Sequence, residues 1–351
     1  MKNKINWGII GLGNAANKFC EAMNYVKNAK IVSIASTNKK KINQFKKKLQ
    51  LENDNCFNNY NDLIKCPEVD IVYIALPHSM HFRYLMNCIK FKKKVLVEKP
   101  VLYKYSEFKK IYNLIRKNKI YFTEGYMYRY YSYMKFIKKI IQKKKLGNLK
   151  YLESNFHIKV FKQINFLGKN FRKPNKNNRL FNKTLGGGSI LDIGCYPLSF
   201  GTLIYLMSSL TTKSKIMINN IKTFNYGTNV DICSSAKIIY NKDFYSKISC
   251  SFNDKSNQIT KIFFEKGEIA IDKSWNPIKD IKVILYDYKK NVMTIKKFNN
   301  ERNVYSNQIE NISKQILKNF KTPKFPSIGL EEMKLNTFIL EKWYNFKKHS
   351  T

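Results

Sequence analysis

Short apolar runs alternate with amphipathic stretches through the first third of the chain. The runs are rich in β-branched residues, as buried strands are, and the stretches between them place apolar residues at helical spacing. The predicted strands are residues 5–10, 30–36, 69–76, 94–98 and 120–123. The predicted helices are residues 15–26, 39–49, 82–91 and 106–117, with Ser106 as the cap of the last. Single helices between strands predict a parallel, doubly wound α/β sheet.

The pattern changes after Glu124, where longer strands with short turns replace the alternation. The elements predicted from here are a helix (131–144), a period-two strand (149–161), a polar loop (171–184), a helix (186–207), successive strands (215–297) and two closing helices (305–319 and 330–347). Consecutive strands with short turns predict a mostly antiparallel sheet. We therefore predict two domains, residues 1–124 and 125–351, with the closing helices packed back on the first.

A glycine turn, Gly11-Leu12-Gly13-Asn14-Ala15-Ala16, follows the first predicted strand directly. In such a strand–turn–helix unit the first glycine makes the tight turn, and Gly13 lets the backbone approach a pyrophosphate. The small Ala16 lets helix and strand pack closely. The helix start at Asn14 and Ala15 holds phosphate charge through its N–H groups and dipole. The turn predicts a dinucleotide site, and a plain turn is the alternative.

The residues after the second strand bear on the choice of cofactor. Sites that prefer NAD usually place an Asp or Glu here, which binds the ribose 2′-hydroxyl. This chain has Ser36, Thr37, Asn38, Lys39 and Lys40 instead. Hydroxyls and lysines suit a 2′-phosphate, so we predict that the protein binds NADP in preference to NAD.

Pro77, His78 and His81 follow the predicted strand at residues 69–76. Residues just beyond the carboxyl ends of parallel strands line the ligand crevice of a doubly wound sheet. We therefore predict that all three contribute to the cofactor site, without assigning either histidine as the proton donor.

Glu98 and Lys99 end the next predicted strand and are predicted to lie at the same crevice. Pro100 restricts Lys99 to an extended conformation, which aims the ammonium across the site. A solvated turn is the alternative interpretation.

A triple glycine, Gly186-Gly187-Gly188, opens the segment that carries Asp192 and Tyr196. If this segment is an α-helix, the carboxylate and the phenol are four residues apart and share one face. A tyrosine with its ordinary pKa near 10 is a poor base, but a neighbouring ammonium lowers such a pKa. The pair predicts a site that binds and deprotonates a substrate hydroxyl.

The formal net charge of +41 is a weak pointer to partners, because the lysines are spread along the whole chain. We expect solvated helix faces rather than a nucleic-acid groove or a membrane surface. The seven scattered cysteines form no CxxC pair and suggest neither a zinc site nor a disulfide framework. We expect no signal peptide, and we expect the apolar stretch 198–210 to be too short to span a bilayer.

Together, the glycine turn, Glu98-Lys99-Pro100 and the stretch from Gly186 to Tyr196 resemble the glucose–fructose oxidoreductase and inositol dehydrogenase family. Residues 124–130 resemble the family's segment at the domain junction. The resemblance covers essentially the whole chain. It is closest to the branch with D-xylose dehydrogenase and dimeric dihydrodiol dehydrogenase, which has tyrosine where inositol dehydrogenase-like members have histidine.

The resemblance implies an N-terminal Rossmann domain and a C-terminal α+β domain built on a large, mostly antiparallel open sheet, which often forms a dimer interface. It implies that Lys99 orients the substrate and lowers the pKa of Tyr196, the proton donor or acceptor. It also implies that Asp192 assists at the substrate hydroxyls and that Arg129 lies near the cofactor. The chain departs from the family at Thr37, where NADP-preferring relatives often have Arg, and at His78, where an asparagine is common. Both departures concern the cofactor preference rather than the fold.

These features predict a cytoplasmic, dimeric dehydrogenase or reductase that uses NADP or NAD. It would transfer a hydride between nicotinamide and a hydroxyl-bearing carbon of a sugar or cyclic polyol or diol, without a metal. One alternative is a nucleotide-linked sugar as substrate, in surface polysaccharide synthesis. Another is a non-catalytic dinucleotide-binding regulator. Residues 171–184, His157 and Trp275 are expected to select the substrate.

Overall fold

The computed structural model describes residues 3–160, 178–208, 216–226, 228–254, 258–275, 280–299 and 303–346, and the backbone of residues 162–165 and 168–171. The chain divides into two compact units. The first unit comprises Met1–Tyr131 and Arg302–Thr337, and the second comprises Ser132–Glu301 and Phe338–Thr351.

The first unit is built on a six-stranded parallel sheet in the order β3-β2-β1-β4-β5-β6. Its strands are β1 (Ile5–Ile10), β2 (Ala29–Ala35), β3 (Cys56–Phe57), β4 (Ile71–Ile74), β5 (Lys94–Val97) and β6 (Phe122–Glu124). Its helices before residue 131 are α1 (Asn14–Met23), α2 (Lys39–Leu49), α3 (Tyr60–Lys65), α4 (His81–Lys90) and α5 (Tyr105–Asn118). The strand order reverses between β1 and β4, and the carboxyl ends beside this point form the ligand crevice of such sheets.

Aromatic side chains fill the core between β1, α1 and β4. The ring of Phe19 lies 5.2 Å from Trp7 and 4.3 Å from Tyr73, and all three side chains are buried. The Trp7 indole donates to Ser313 Oγ at 3.1 Å. Ser313 belongs to a helix of the C-terminal part of the chain, α8 (Val304–Leu317), which packs on α1. This helix therefore completes the core of the first unit.

The sequence pattern missed two elements of the first unit, β3 and α3. The stretch that forms them is largely polar and short of apolar periodicity, so nothing in it indicated a strand or helix. The predicted cap of α5 is also wrong. Ser106 lies inside the helix, and Lys104 occupies the N-cap position without a side-chain hydrogen bond.

The second unit is built on an eight-stranded sheet in the order β10-β11-β12-β7-β13-β14-β15-β16. All its pairings are antiparallel except that of β12 with β7. Its strands are β7 (Leu149–His157), β10 (Met217–Phe224), β11 (Cys233–Ile239), β12 (Tyr245–Ser251), β13 (Thr260–Phe264), β14 (Gly267–Ile271), β15 (Ile281–Asp287) and β16 (Val292–Phe298). A separate hairpin consists of β8 (Lys162–Asn165) and β9 (Gly168–Phe171). The sheet confirms the predicted, mostly antiparallel architecture.

Two helices of the second unit are α6 (Ser132–Gln142) and α7 (Cys195–Met207). The closing helix α9 (Leu330–Phe346) belongs to the first unit up to Thr337 and to the second unit beyond it. By length and composition alone, the stretch Lys183–Met207, which begins well before the apolar stretch 198–210, is long enough to cross a membrane. However, 94% of its most apolar window is buried, which is typical of a core helix, and α7 packs on β7 and β12.

Candidate functional site

The two glycines of the Gly11–Ala16 turn have different surroundings. Gly11 has φ +90°, and a Cβ added to it would lie 2.6 Å from the carbonyl oxygen of Ala75. The protein's own backbone therefore requires glycine at this position. A Cβ added to Gly13 would meet no atom within 4 Å, and its φ of −99° is open to any residue. Glycine at this second position keeps open a space that protein atoms do not fill.

The start of α1 is suited to bind an anion. Gly13 is its N-cap and provides no side-chain hydrogen bond, and the first turn contains no acidic residue. Asn14 and Ala15 begin the helix at the surface, and Ala16 is fully buried against the sheet. Uncapped N–H groups and a positive helix end beside an open glycine fit a pyrophosphate, so these residues fit a dinucleotide.

The residues after β2 form a compact turn into α2. Buried Ser36 accepts a hydrogen bond from the backbone N–H of Asn38 at 3.1 Å. The side chain of Asn38 in turn accepts from Lys41 N at 3.1 Å and caps α2. Thr37 and Lys39 are exposed beside it. Exposed hydroxyl and ammonium groups at the end of β2 fit a 2′-phosphate better than a bare hydroxyl.

Pro77, His78 and His81 lie between β4 and α4. Pro77 precedes a single helical turn, and its carbonyl accepts from Met80 N at 2.9 Å. The ring of His78 is buried and lies 5.7 Å from the ring of His81, edge to face. The two histidines therefore pack against each other at the predicted crevice.

Both ring nitrogens of His81 face backbone carbonyl oxygens. Nδ1 lies 3.1 Å from the oxygens of both Pro100 and Val101, and Nε2 lies 3.0 Å from the oxygen of Leu76. The side chain is fully buried, and this burial lowers the pKa of His81. His81 thus links the segment after β4 to the segment after β5, which carries Lys99.

Glu98 and Lys99 follow β5 and are both half-buried. The phenol of Tyr73 donates to Glu98 Oε1 at 2.5 Å. Burial, together with the charge of Glu98, raises the pKa of Tyr73 well above its ordinary value, so the phenol remains a donor. The peptide bond between Lys99 and Pro100 is cis.

Glu124, at the end of β6, holds the same segment from another side. Its Oε1 accepts from the backbone N–H of Val101 at 2.7 Å, while Oε2 has no hydrogen-bond partner among the described residues. The side chain is 1% exposed, and burial raises the pKa of Glu124 to about 8. The segment after Lys99 is therefore held by two buried side chains, those of His81 and Glu124.

Arg129 lies in a buried ion pair within the first unit. Its Nη1 and Nη2 donate to the two carboxylate oxygens of Glu332 at 2.5 and 3.1 Å, and its Nε donates to the carbonyl of Pro326 at 2.6 Å. The side chain is 2% exposed. Such a bidentate pair orders residues 126–131 against the chain near Pro326. The structure thus gives Arg129 a packing role, and its predicted place near the cofactor stays a prediction.

In the second unit, the chain's own atoms require the first two glycines of the triple glycine. Gly186 has φ +77° and ends the short helical turn Lys183–Leu185. A Cβ added to Gly187 would lie 2.6 Å from the carbonyl oxygen of Arg179 and 2.7 Å from that of Leu180. The turn at residues 179–181 is therefore seated directly on the glycine segment.

The third glycine faces a buried carboxylate. Gly188 has φ +114°, and a Cβ there would collide with the carboxylate of Asp231. Asp231 is fully buried, and its Oδ2 accepts from the Ser189 hydroxyl at 2.8 Å and from Ile190 N at 2.6 Å. This carboxylate therefore holds the beginning of the segment that carries Asp192 and satisfies one N–H group, that of Ile190, which a helix start leaves unpaired.

The segment after Ser189 differs from the expected α-helix. Residues Ile190–Gly194 form a π-helical turn, in which the backbone N–H of Cys195 bonds to the carbonyl of Ile190, and α7 follows. Asp192 lies in the π-helical turn and Tyr196 in the first turn of α7. The expected α-helix is thus replaced by a wider π-helical turn at Asp192, and the prediction that Asp192 and Tyr196 share one face stays a prediction.

Asp192 pairs with a residue that the sequence analysis did not single out. Nη2 of Arg179 donates to Asp192 Oδ1 at 3.0 Å. The side chain of Arg179 is 50% exposed and that of Asp192 is 10% exposed. The ion pair places a donor and an acceptor side by side near the surface of the second unit.

Aromatic rings surround Tyr196. Its ring lies 5.2 Å from that of Phe156 and 5.8 Å from that of Trp275, edge to face in both cases. Trp275 is fully buried, so it orients Tyr196 by packing. His157 is half-buried, its Nε2 lies 2.9 Å from Ser249 Oγ, and burial lowers the pKa of His157.

Three functional candidates were not singled out from the sequence: Arg179, which lies in the polar loop 171–184 that is expected to select the substrate, Asp231 and Glu124. Arg179 precedes the triple glycine by seven residues, and a close approach by this turn is what Gly187 permits. Asp231 is one acid in a predicted region of strands, and no local pattern marked it. Glu124 ends the alternating pattern and begins residues 124–130, which resemble the family's segment at the domain junction, but no role was predicted for its side chain.

Two family models match the chain. One, described as "Oxidoreductase family, NAD-binding Rossmann fold", covers residues 5–126, and the other, "GFO/IDH/MocA C-terminal domain", covers residues 134–270. Together they cover more than half of the chain.

Curated relatives are about one quarter identical to the chain over the residues that align. A trans-1,2-dihydrobenzene-1,2-diol dehydrogenase from Xenopus tropicalis is 25% identical over 201 residues, which are 57% of this chain and 56% of the relative. The D-xylose 1-dehydrogenase (NADP(+)) of Hypocrea jecorina is 25% identical over 66% of this chain and 62% of its own. The chain thus spans a little more than half the length of these relatives.

Solved structures share the fold over nearly the whole chain. An aldose-aldose oxidoreductase from Caulobacter crescentus, complexed with glycerol, has a TM-score of 0.82 at 16% identity and covers 98% of both chains. A 3-ketoreductase from Actinomadura kijaniata, in complex with NADP and TDP-benzene, has a TM-score of 0.79 at 16% identity. It covers 97% of this chain and 96% of its own. The fold of two units is therefore that of these oxidoreductases.

Proposed function

Because the chain belongs to the GFO/IDH/MocA oxidoreductase family, we propose that it is an NADP-preferring dehydrogenase or reductase. Its substrate is a sugar or a cyclic polyol or diol, and the reacting group is a hydroxyl-bearing carbon or the corresponding carbonyl. The names of the relatives, which include a dihydrodiol dehydrogenase and an NADP(+)-dependent D-xylose dehydrogenase, support this substrate class. The bound nicotinamide would supply or accept the hydride.

The observation that carries the proposal is the open space beside Gly13, next to the uncapped start of α1. No protein atom explains glycine at this position, whereas a pyrophosphate held by the helix N-terminus does. Ser36, Thr37, Asn38 and Lys39 would hold the 2′-phosphate. Cofactor binding belongs to residues 1–124 in this proposal, and substrate binding and oligomerisation belong to residues 125–351.

The catalytic roles follow the family resemblance. Tyr196 takes the proton of the substrate hydroxyl in oxidation and returns it in reduction, and the Lys99 ammonium favours the phenolate. Asp192 accepts a hydrogen bond from a substrate hydroxyl. The buried side chains around these residues support their roles, because His81 and Glu124 hold the Lys99 segment, and Phe156 and Trp275 orient the ring of Tyr196.

We further propose that the protein is a cytoplasmic homodimer that binds neither nucleic acid nor membranes. The eight-stranded sheet offers the surface for a second copy. The rings of Tyr245, Tyr151 and Phe263 stack across three neighbouring strands, at 5.3 and 4.1 Å between centroids. Such a row of partly exposed rings is typical of the core of an interface.

The test is a titration of nicotinamide fluorescence with NADPH and NADH, followed by turnover assays on sugars, cyclic diols and sugar nucleotides. We expect tighter binding of NADPH and turnover of at least one neutral polyol. Lys99→Ala and Tyr196→Phe should each lose most of kcat while they still bind cofactor. Binding of neither cofactor, or wild-type turnover in both variants, contradicts the proposal.

A nucleotide-linked sugar is the second candidate substrate. One relative, a dTDP-3,4-didehydro-2,6-dideoxy-alpha-D-glucose 3-reductase from Saccharopolyspora spinosa, is 22% identical over 84% of this chain and 82% of its own. Turnover of a dTDP-sugar with a lower KM than the free sugar in the same panel would favour this candidate.

A further inference from the structure

The Arg179–Asp192 pair has a geometry that suits recognition of two hydroxyl groups. Arg179 provides a planar fork of five N–H donors, and a carboxylate accepts hydrogen bonds through both oxygens. Among the described residues, one nitrogen of Arg179 donates to Asp192 at 3.0 Å, and half of the Arg179 side chain is exposed. A donor surface therefore lies beside the predicted substrate carboxylate.

Hydrogen bonds hold the backbone turn that carries Arg179, and this restricts the position of its guanidinium group. The N–H of Gly188 donates to the carbonyl of Leu180 at 2.9 Å, and that of Gly187 donates to the carbonyl of Asn182 at 2.9 Å. Phe181 is 9% exposed and anchors the same turn by its packing. The turn that carries Arg179 is thus bonded to the segment that leads into Asp192.

A hydroxyl group can donate one hydrogen bond and accept others. Of two hydroxyls on neighbouring carbons, one can donate to Asp192 while the oxygen of the other accepts from Arg179. Opposite charges make the pair neutral in sum, and Asp192 would repel a carboxylate or phosphate placed against it. The pair is therefore complementary to a neutral diol at the reacting end of the substrate.

We propose that Arg179 is a specificity-determining residue that binds the hydroxyl next to the reacting carbon, so that substrates with vicinal hydroxyls are selected over simple alcohols. This inference rests on the proposed function. A site built to bond a hydroxyl discriminates strongly against an analogue that lacks it, because the polar groups of the site then stay unpaired.

The experiment compares trans-1,2-cyclohexanediol with cyclohexanol in the wild-type protein saturated with NADP⁺. Arg179→Gln should lower kcat/KM for the diol by roughly 10- to 100-fold and change that for cyclohexanol by less than about threefold. Arg179→Lys, which keeps the charge but loses the fork, should give an intermediate loss. Arg116→Gln, an exposed arginine on α5, is the matched control and should leave both values unchanged.

An equal loss on both compounds would overturn the inference, since Arg179 would then only hold Asp192 in place. Unchanged kcat/KM values for both compounds in Arg179→Gln would overturn it as well. Thermal stabilisation of the NADPH-loaded protein by the diol is measured in parallel and needs no turnover. If no hydroxyl compound is oxidised, the proposed function fails, and the inference is judged on this shift alone. A shift lost in Arg179→Gln supports it, and a wild-type protein without a shift contradicts it.

Discussion

The two glycine-rich turns of this protein look alike in sequence but are glycine-rich for different reasons. In the second unit, Gly187 and Gly188 are required by protein atoms, namely the carbonyls of the Arg179 turn and the carboxylate of Asp231. In the first unit, Gly11 is required by the backbone at Ala75, but no protein atom lies within 4 Å of a Cβ at Gly13. Because Gly13 lies between the parallel strand β1 and the uncapped start of α1, the open space at this glycine fits a bound ligand.

A second comparison concerns the acidic side chains that hold the two sites. Glu124 accepts from the N–H of Val101, two residues after Lys99, and Asp231 accepts from the N–H of Ile190, two residues before Asp192. Both acidic side chains are buried. The Ser189 hydroxyl also bonds to Asp231, whereas one oxygen of Glu124 has no partner among the described residues. Each unit thus holds a segment of its site with a buried acidic side chain, and the hydrogen bonding of Glu124 is less complete than that of Asp231.

The largest expected effect is that of Gly188→Ala. The φ of +114° is costly for alanine, and its Cβ would collide with Asp231, so we expect a loss of ~3 kcal/mol or more in the free energy of unfolding. Gly329→Ala, whose Cβ would meet no atom within 4 Å, is the control and should change stability by less than ~1 kcal/mol. Equal urea midpoints for the two variants would contradict the structural role of Gly188.

Gly13→Ala should show the opposite behaviour. Because its backbone conformation suits alanine and its Cβ meets no protein atom, we expect stability within ~1 kcal/mol of wild type. A methyl group in the path of the pyrophosphate should weaken NADPH binding by roughly 10- to 100-fold, or ~1.4 to 2.7 kcal/mol. The dissociation constant is measured by nicotinamide fluorescence, and an unchanged value would remove the difference between the two turns.

Asp231→Asn should have a smaller effect on stability than Gly188→Ala. The amide keeps one acceptor oxygen but loses the negative charge of the carboxylate, which accepts hydrogen bonds from both the Ser189 hydroxyl and the Ile190 N–H. We expect a loss of ~1 to 2 kcal/mol in the free energy of unfolding. Thermal and urea unfolding provide the measurement. Asp243→Asn, at an exposed position, is the matched control, and an equal change in both variants would count against the capping role.

Glu124→Gln tests the role of the Glu124 side chain through the pH dependence of stability. Burial raises the pKa of Glu124 to about 8 from an ordinary value of 4.5, so the folded protein holds this proton more tightly than the unfolded chain. Its contribution to stability is complete below pH 4.5 and is lost as the pH rises through about 8. Between these values the wild type should lose up to ~1.4 kcal/mol per pH unit from this group.

In Glu124→Gln this part of the slope should vanish, so its stability relative to wild type should increase from pH 5 to pH 8. Glu68→Gln, at an exposed position, is the control and should retain the wild-type slope. Parallel stability curves for wild type and Glu124→Gln would contradict the raised pKa.

The sequence by itself determined the fold class and the family. Continuous apolar runs such as β1 and β4 indicate strands buried on both faces, period-two alternation such as that of β7 indicates a sheet with one buried face, and the structure confirms both sheets. These signals are local, because burial imposes the period of the element on the nearest neighbours in the chain. The motifs at Gly11, Lys99 and Tyr196 are local as well, since each occupies a short stretch of the chain, and they carried the family resemblance.

Only the tertiary structure decided which partners the functional side chains have. Arg129 pairs with Glu332, 203 residues away, and Asp231 caps a segment 42 residues before it. It also decided that a π-helical turn carries Asp192 and that Arg179 pairs with it. Periodicity shows whether a position is buried but not which residue it contacts. The contacting residues are far apart in the chain and come within a few ångströms of each other only when the chain folds.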